Sequence, residues 1–350
     1  METARIISKD DIVELIDRFI VAYQVIAPSV IDDRVMYKYV SDASEVDLEY
    51  RGHTLLPPKR FFFPEKEVLF TYEISDKGTV SIYDKCEELK GLQRVFIGIK
   101  PCDISSLKIL DKVLISEFHD PYYAIRRNNT LLIGITCSEP LDYCFCYYTG
   151  SGPSTDDGYD LLLTDLGEEY LVRIGSNRGL MLIKYNIDLF KEANEEKIAL
   201  AKKLIEKAEL KMREQRLPSF ENIYEVMIKN FNSKIWEEYG RACLACGKCN
   251  FTCPTCTCFD IFDEVNLDLK SGRRVRVWDS CHFLSFTQVA SGEIFRKSRP
   301  SRVKQRIYHK YCYSLDEIGV ISCVGCGRCI EVCTARIDLR DIIRRLYGYE

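Results

Sequence analysis

The segments CLACGKCNFTCPTCTC, residues 243–258, and CVGCGRCIEVC, residues 323–333, repeat one cysteine spacing. Each fits the pattern C-x2-C-x2-C-x3-C. Three cysteines at this spacing can bind one cubane, and the fourth ligates the other cluster in two-cluster ferredoxins. The repeat therefore predicts two cross-ligated [4Fe–4S] clusters held close together.

Cross-ligation divides the eight cysteines into two sets. The expected sets are Cys243, Cys246, Cys249 and Cys333 for the first cluster, and Cys323, Cys326, Cys329 and Cys253 for the second. Pro254 follows the first run, whereas Thr334 stands at the matching position of the second. This residue sets a turn and is not a ligand, so the expected ligation is unaffected. Gly247 and Gly327 lack a Cβ, which lets the backbone come close to a cluster.

Zinc is the alternative metal for such thiol-rich runs. Structural zinc sites usually take paired C-x2–4-C units, and two pairs make one tetrahedron. Three-cysteine units with a trailing fourth cysteine fit that arrangement poorly. A zinc-stabilised binding protein is therefore the alternative of another class. It would be colourless, whereas an iron–sulfur protein is brown and bleaches with dithionite.

The composition is that of a folded protein rather than a secreted disulfide scaffold. The chain has 350 residues and 17 cysteines, and no apolar run approaches the roughly 18–20 residues of a membrane span. Its N-terminus, METARIISKDDIVEL, lacks the apolar core of a secretory signal. Clustered cysteines without an export signal favour metal thiolates in a reducing cytoplasm. The formal net charge of −4 argues against a general nucleic-acid binder.

The chain divides by composition into three regions. Residues 1–185 alternate short apolar runs with turns and predict an α/β domain, and the charged, helix-periodic residues 186–235 predict a helical connector. Residues 236–350 hold both cysteine runs. FDIFDEVNLDL and SLDEIG have helical patterns, so this region is expected to be a mostly α-helical two-cluster ferredoxin-like domain. The arginine-rich segments RRVRVW and FRKSRPSRVKQR predict a docking face or charge balance for anionic clusters rather than RNA binding.

A third group of cysteines follows from the strand order of the N-terminal region. RVFIGIK predicts a buried strand before Cys102, DISSLKILDKVL predicts a helix, and TLLIGITC predicts a strand that ends at Cys137. A right-handed crossover makes these strands parallel, so both cysteines fall at the carboxyl edge of the sheet, where open α/β sheets bind ligands. The next loop adds Cys144 and Cys146. These four thiols predict a third [4Fe–4S] cluster, with four neutral packing cysteines as the alternative.

Three further cysteines have an open role. Cys256 and Cys258 follow the first run, and Cys281 lies in VWDSCHF. A further cluster would need a fourth ligand, for which His282 is the candidate; otherwise these are core cysteines beside the clusters. The isolated thiols and imidazoles, expected to be packing, surface or ordinary polar residues, are Cys86, Cys312, His53, His119 and His309.

Two absences narrow the chemistry. No G-x-G-x-x-G or P-loop motif occurs in the sequence, and no flavin or nicotinamide site is visible in it. Two-cluster proteins of this kind pass single electrons, so the hydride chemistry is expected on other polypeptides.

Five segments together resemble a known family: GIKPCD, ITCSEPLDYCFC, CLACGKCNFTCPTCTC, RVWDSCHF and CVGCGRC. They look like the iron–sulfur β subunit of soluble NAD(P)-linked nickel–iron hydrogenases (sulfhydrogenases). They are also similar to the related iron–sulfur subunit of anaerobic sulfite reductase. The resemblance covers about residues 57–342 in the same order, and the departure is Thr334.

The resemblance implies an electron conduit and not a complete reaction. In this family the subunit lies between a flavoprotein that handles NAD(P)H and a catalytic subunit. A nickel–iron hydrogenase subunit is the first expectation, and a sirohaem sulfite reductase subunit is the alternative. The resemblance also favours the N-terminal cluster and a place near the clusters for Cys256, Cys258 and Cys281.

Overall fold

The computed structural model describes residues 4–349, which form two β-sheets and a helical C-terminal region. The strands are β1 (Arg5–Ser8), β2 (Gln24–Ile31), β3 (Arg34–Val40), β4 (Lys66–Ile74), β5 (Val80–Asp84), β6 (Arg94–Ile99), β7 (Thr130–Ile135), β8 (Leu161–Asp165), β9 (Glu169–Ile174), β10 (Lys191–Glu192), β11 (Phe259–Val265) and β12 (Ser271–Trp278). The α-helices are α1 (Lys9–Ala22), α2 (Cys86–Leu89), α3 (Pro101–Asp111), α4 (Pro121–Asn128), α5 (Asn177–Tyr185), α6 (Glu195–Arg213), α7 (Ile223–Lys229), α8 (Ile235–Ala242), α9 (Lys248–Phe251), α10 (Arg299–Tyr308), α11 (Ser314–Ile318), α12 (Arg328–Glu331) and α13 (Leu339–Tyr347). Segments Lys112–Glu117 and His309–Tyr313 continue α3 and α10 as π-helices.

The large sheet forms the N-terminal core. Its strand order is β10-β1-β9-β8-β7-β6-β2-β3, and the central strands β2, β6, β7 and β8 are parallel. Helices α1 and α5 pack on one face of this sheet, and α3 and α4 pack on the other. Cover on both faces explains why β6 and β7 read as continuous apolar runs. The α/β region and its predicted parallel pair of strands are confirmed.

The small sheet joins distant parts of the chain. Its order is β11-β12-β4-β5, with β4 pairing antiparallel to β12. In the large sheet, β10 pairs with β1 at the edge. Both pairings cross the expected boundary between residues 1–185 and the rest of the chain. The domain boundaries at residues 185 and 235, which are inferred from composition, stay a prediction. Residues 1–185 alone do not form either sheet completely, because β10, β11 and β12 lie beyond residue 185.

One predicted helix is wrong, because the first part of FDIFDEVNLDL forms strand β11. Phe259 pairs with Trp278 across the hairpin and lies 5.6 Å from the guanidinium of Arg276. These cross-strand contacts outweigh the local helical pattern. The other expected helix is present as α11 and ends at Gly319, which has a left-handed φ of 73°. The C-terminal region is therefore helical with one β-hairpin, and its expected helical character is confirmed in part.

The helices of the C-terminal core pack around the two cysteine runs. Side chains of α7, α8, α10 and α13 pack together in one apolar cluster, which Phe145 of the N-terminal region joins. Helix α8 ends at Ala242, directly before the first run, and α13 begins at Leu339, shortly after the second. Within residues 4–349 no helix combines the length and apolarity needed to cross a membrane.

Candidate iron–sulfur centres

The two cysteine runs fold alike. Each turns at a glycine with a left-handed φ, Gly247 at 75° and Gly327 at 80°, and then enters the short helix α9 or α12. Two residues before these glycines, Ala245 and Gly325 also have left-handed φ values of 53° and 58°. Residues with a side chain rarely adopt this conformation, so a matched pair of left-handed turns makes the sequence repeat a structural one.

Protein packing also requires these glycines. A Cβ on Gly247 would lie 2.9 Å from the ring of Phe283, and one on Gly327 would lie 2.5 Å from the carbonyl oxygen of Tyr143. Neither position leaves room for a side chain. The second run therefore packs against the loop that carries two of the N-terminal cysteines. The expectation that these glycines let the backbone come close to a cluster stays a prediction.

Thr334 contributes a contact between the two runs. The Nζ atom of Lys248 donates a hydrogen bond to the hydroxyl of Thr334 at 3.1 Å. A proline at this position would lack that hydroxyl. The departure from the usual ferredoxin pattern thus adds a polar link between the start of α9 and the end of the second run.

A largely apolar cavity lies beside the first run. Its lining includes all four cysteines predicted for the first cluster, Cys243, Cys246, Cys249 and Cys333, together with Cys329. Three of the predicted ligands come from the first run and one comes from the end of the second. Cross-ligation requires this grouping.

A second cavity repeats the arrangement with the runs exchanged. Its lining includes Cys323, Cys326 and Cys329 of the second run and Cys253 of the first. Cys253 is buried among them, although it belongs to the other run in sequence. The structure thus brings together both predicted sets of four.

The side chains around both cavities suit an anionic cubane. Neither lining contains a carboxylate, whereas Lys248 and Arg306 line the first cavity and Arg306 and Lys310 line the second. These cations would offset part of the negative charge of a thiolate-ligated cubane, because buried charges in proteins are paired.

The extra cysteines pair with other thiols. Cys256 is a neighbour of Cys253, and Cys258 is a neighbour of Cys281. Interaction with the neighbouring thiol lowers the pKa of Cys253 and lowers the pKa of Cys281 to about 6. Asn250 donates a further hydrogen bond to Cys281 at an N–S distance of 3.0 Å. Cys256 and Cys258 are thus neighbours of other cysteines, and neither lines one of these two cavities.

His282 belongs to the first cavity. Its Nδ1 atom is 4.0 Å from Sγ of Cys243, and the ring forms part of the cavity wall. Burial, with a smaller contribution from Arg306, lowers the pKa of His282 to about 3. The imidazole is therefore neutral near pH 7, and its role as a fourth metal ligand beside the extra cysteines stays a hypothesis.

The N-terminal cysteines lie near the carboxyl edge of the large sheet. Cys102 lies in the first turn of α3 after β6, and Cys137 follows the end of β7. All four thiols are buried. Cys102, Cys144 and Cys146 share one cluster of buried side chains with Cys326. Burial raises the pKa of Cys144 to about 12, with nearby Cys137 adding to the shift.

The 144–146 loop packs directly on the second cysteine run. The backbone N–H of Phe145 donates to the carbonyl oxygen of Gly325 at 2.7 Å. The thiol of Cys144 donates to the carbonyl oxygen of Cys326 at 3.5 Å. The N-terminal thiols and the second cavity are therefore neighbours.

A buried ion pair joins the same two places. The guanidinium of Arg328 donates to both carboxylate oxygens of Asp103, at 2.6 and 2.7 Å, and both side chains are 0% exposed. Its Nε atom donates to the carbonyl oxygen of Thr54 at 2.8 Å. Asp103 follows Cys102 directly, and Arg328 comes two residues after Cys326. The pair is bidentate, a geometry that fixes position as well as charge.

Two buried lysines were not predicted. Lys59 donates to the carbonyl oxygen of Cys256 at 2.8 Å, and its Nζ atom lies 3.9 Å from the ring centroid of Trp278. Lys100 is also buried, with Nζ at 4.1 Å from the ring centroid of Tyr50. Lysine is almost never fully buried unless paired. The sequence signal for Lys100 is its place in GIKPCD, directly after an apolar strand, whereas Lys59 has no comparable signal.

The isolated cysteines and histidines occupy ordinary positions. Cys86 and Cys312 are buried packing residues. His53 is buried, with Nδ1 at 3.1 Å from the carbonyl oxygen of Thr54. His119 is exposed, and the side chain of His309 is partly exposed.

Comparison with known proteins agrees with this geometry. Residues 242–337, which contain both cysteine runs, match the family model described as a 4Fe-4S dicluster domain. The chain therefore contains a 4Fe-4S dicluster domain, and this match weighs against the zinc alternative.

A relative places the chain within that class. Over 302 residues the chain is 35% identical to the protein named sulfhydrogenase 2 subunit beta from Pyrococcus furiosus, and the match covers 86% of each chain. The chain belongs to the family of sulfhydrogenase β subunits, which confirms the resemblance of its cysteine-rich segments.

Proposed function

We propose that this chain is the iron–sulfur subunit of a multi-subunit hydrogenase. It carries single electrons between a flavoprotein subunit that handles NAD(P)H and a nickel–iron catalytic subunit. The observation that carries the proposal is the pair of cavities, each lined by three cysteines of one run and one of the other. The relative named as a sulfhydrogenase subunit supports the hydrogenase assignment.

In this function the chain itself binds the clusters and shields them from water. A bound [4Fe–4S] cluster supplies reversible one-electron chemistry. Cys243, Cys246, Cys249 and Cys333 would hold the first cluster, and Cys323, Cys326, Cys329 and Cys253 the second. Val303, Ile307, Leu339 and Ile342 of α10 and α13 add an apolar wall to the first cavity, which limits access of water.

We propose that electrons pass in a fixed order through three sites, which are the two C-terminal cavities and the group of N-terminal cysteines. Cys246 of the first run is exposed, whereas Cys326 of the second run is buried and lies beside the N-terminal thiols. A partner can therefore approach the first site most closely. We infer that electrons enter or leave there and pass through the second site to or from the N-terminal one.

Anaerobic purification from the native host tests the proposal. A brown complex that contains a flavoprotein and a nickel–iron subunit is the expected result. Recovery of a sirohaem subunit instead would overturn the hydrogenase assignment in favour of a sulfite reductase. A colourless protein would overturn the electron-transfer function itself.

The N-terminal site is proposed to hold a third cluster through Cys102, Cys137, Cys144 and Cys146. In the full-length protein, Cys146→Ser is expected to lower the iron content from about twelve to about eight per chain, since each cubane contains four irons. Iron analysis with EPR of the reduced protein measures this. The full chain is needed, because strands beyond residue 185 complete both sheets.

Cys86→Ser is the matched control for that substitution, because Cys86 is equally buried but packs with Leu69 and Tyr122 away from the other thiols. It should retain all the iron. A wild-type protein with about eight irons, unchanged by Cys146→Ser, would show that the four N-terminal thiols are packing residues.

A further inference from the structure

Three buried cations lie on one face of α10 and its π-helical continuation. Arg302, Arg306 and Lys310 are spaced four residues apart, and their exposed fractions are 7%, 7% and 3%. Buried charges are paired in proteins, because an isolated one is costly. Cysteines line both cavities that Arg306 borders, and no carboxylate lines either of them. The neighbours of this cation in the two cavities are therefore cysteines.

Arg306 borders both cysteine cavities. It is part of the lining of each, so its charge is close to both predicted clusters. One amino group donates to the carbonyl oxygen of Cys249 at 3.4 Å. Its buried Nε atom has no hydrogen-bond partner within the described part of the chain. An unsatisfied donor on a buried cation indicates that an acceptor belongs next to it.

We propose that Arg306 is the counter-charge shared by the two C-terminal clusters and that it raises the reduction potential of both. The inference rests on the proposed electron-transfer function and deepens it. A cubane with four thiolates is anionic, and it gains a further negative charge on reduction. A cation in a low-dielectric position between two such groups stabilises their reduced forms. Arginine keeps its charge at any working pH, so the effect does not depend on protonation.

Lys310 provides an internal comparison. It lines the second cavity but not the first, and its Nζ atom donates to the hydroxyl of Thr255 at 2.8 Å. Its charge should therefore act mainly on the second cluster. Arg306 is thus expected to affect both clusters, whereas Lys310 is expected to affect mainly the second.

The test measures the midpoint potentials of both C-terminal clusters in the full-length protein, purified anaerobically, by redox titration monitored by EPR. Arg306→Met is expected to make each cluster at least tenfold harder to reduce at equilibrium, which corresponds to 59 mV for one electron. Arg306→Gln, which is milder for folding, should shift both potentials in the same direction. Arg306→Lys keeps the charge and should restore most of the potential. Lys310→Met should shift only the cluster held by the second run.

Lys304→Met is the matched control, because Lys304 lies on the same helix and its Nζ atom contacts Phe231 rather than a cysteine. It should leave both potentials unchanged. A purely structural role for Arg306 would lower the thermal stability without moving either potential, and that result would overturn the inference. Two intact clusters with unchanged potentials in Arg306→Gln would overturn it as well. A wild-type protein without clusters would overturn the proposed function and the inference together.

Discussion

Asp103→Ala is expected to lower the free energy of unfolding by about 3–5 kcal/mol, because it leaves Arg328 charged, buried and unpaired. The two side chains are 0% exposed and bonded through two hydrogen bonds, so water does not screen the loss. Urea denaturation of the full-length protein, followed by circular dichroism, measures the change. Asp103→Asn keeps the volume but removes the charge and should act in the same direction.

A double substitution separates the charge effect from packing. Asp103→Leu combined with Arg328→Met removes both charges, and apolar replacement of a buried pair is often neutral or stabilising. The double variant should therefore recover much of the stability that Asp103→Ala loses. Asp188, which pairs with Arg18 at the surface, is the control, and Asp188→Ala should have little effect. A double variant no more stable than Asp103→Ala would contradict an electrostatic origin of the loss.

Cys253→Ser is expected to abolish the cluster held by the second run and to spare the one held by its own run. Cys253 lies in the cavity of Cys323, Cys326 and Cys329, where it would supply the fourth thiolate. Serine is a poorer ligand for iron than thiolate, so the iron content should fall by about four per chain. Iron analysis and EPR of the reduced protein measure the loss.

Four companion variants make that result decisive. Cys323→Ser should abolish the same EPR signal as Cys253→Ser, whereas Cys333→Ser should abolish the other signal. Cys312→Ser is the matched control, because Cys312 is a buried packing residue that lines neither cavity. Loss of one common signal in Cys253→Ser and Cys243→Ser would contradict cross-ligation.

The two sets of four cysteines could be predicted from the sequence, because they depend on the short spacing of cysteines within each run. Three cysteines within seven residues follow the local turn, and the left-handed residues Gly247 and Gly327 give both runs the same local conformation. The parallel strands β6 and β7 could be predicted from the sequence for a similar reason. Their apolar runs and the helix between them leave one favourable crossover, which places Cys102 and Cys137 at one edge of the sheet.

The tertiary structure alone decided which charges are buried and which segments share a sheet. Asp103 and Arg328 are separated by 225 residues, and no local pattern links them. Phe259 begins a strand and not a helix because β12 and β4 extend a sheet that it can join. In the sequence Arg306 belongs to a basic segment and could be a surface residue, whereas in the structure it is buried and lines both cavities. Sequence spacing determines contacts within a turn or a crossover, whereas burial and long-range pairing depend on the free energy of the whole packed chain.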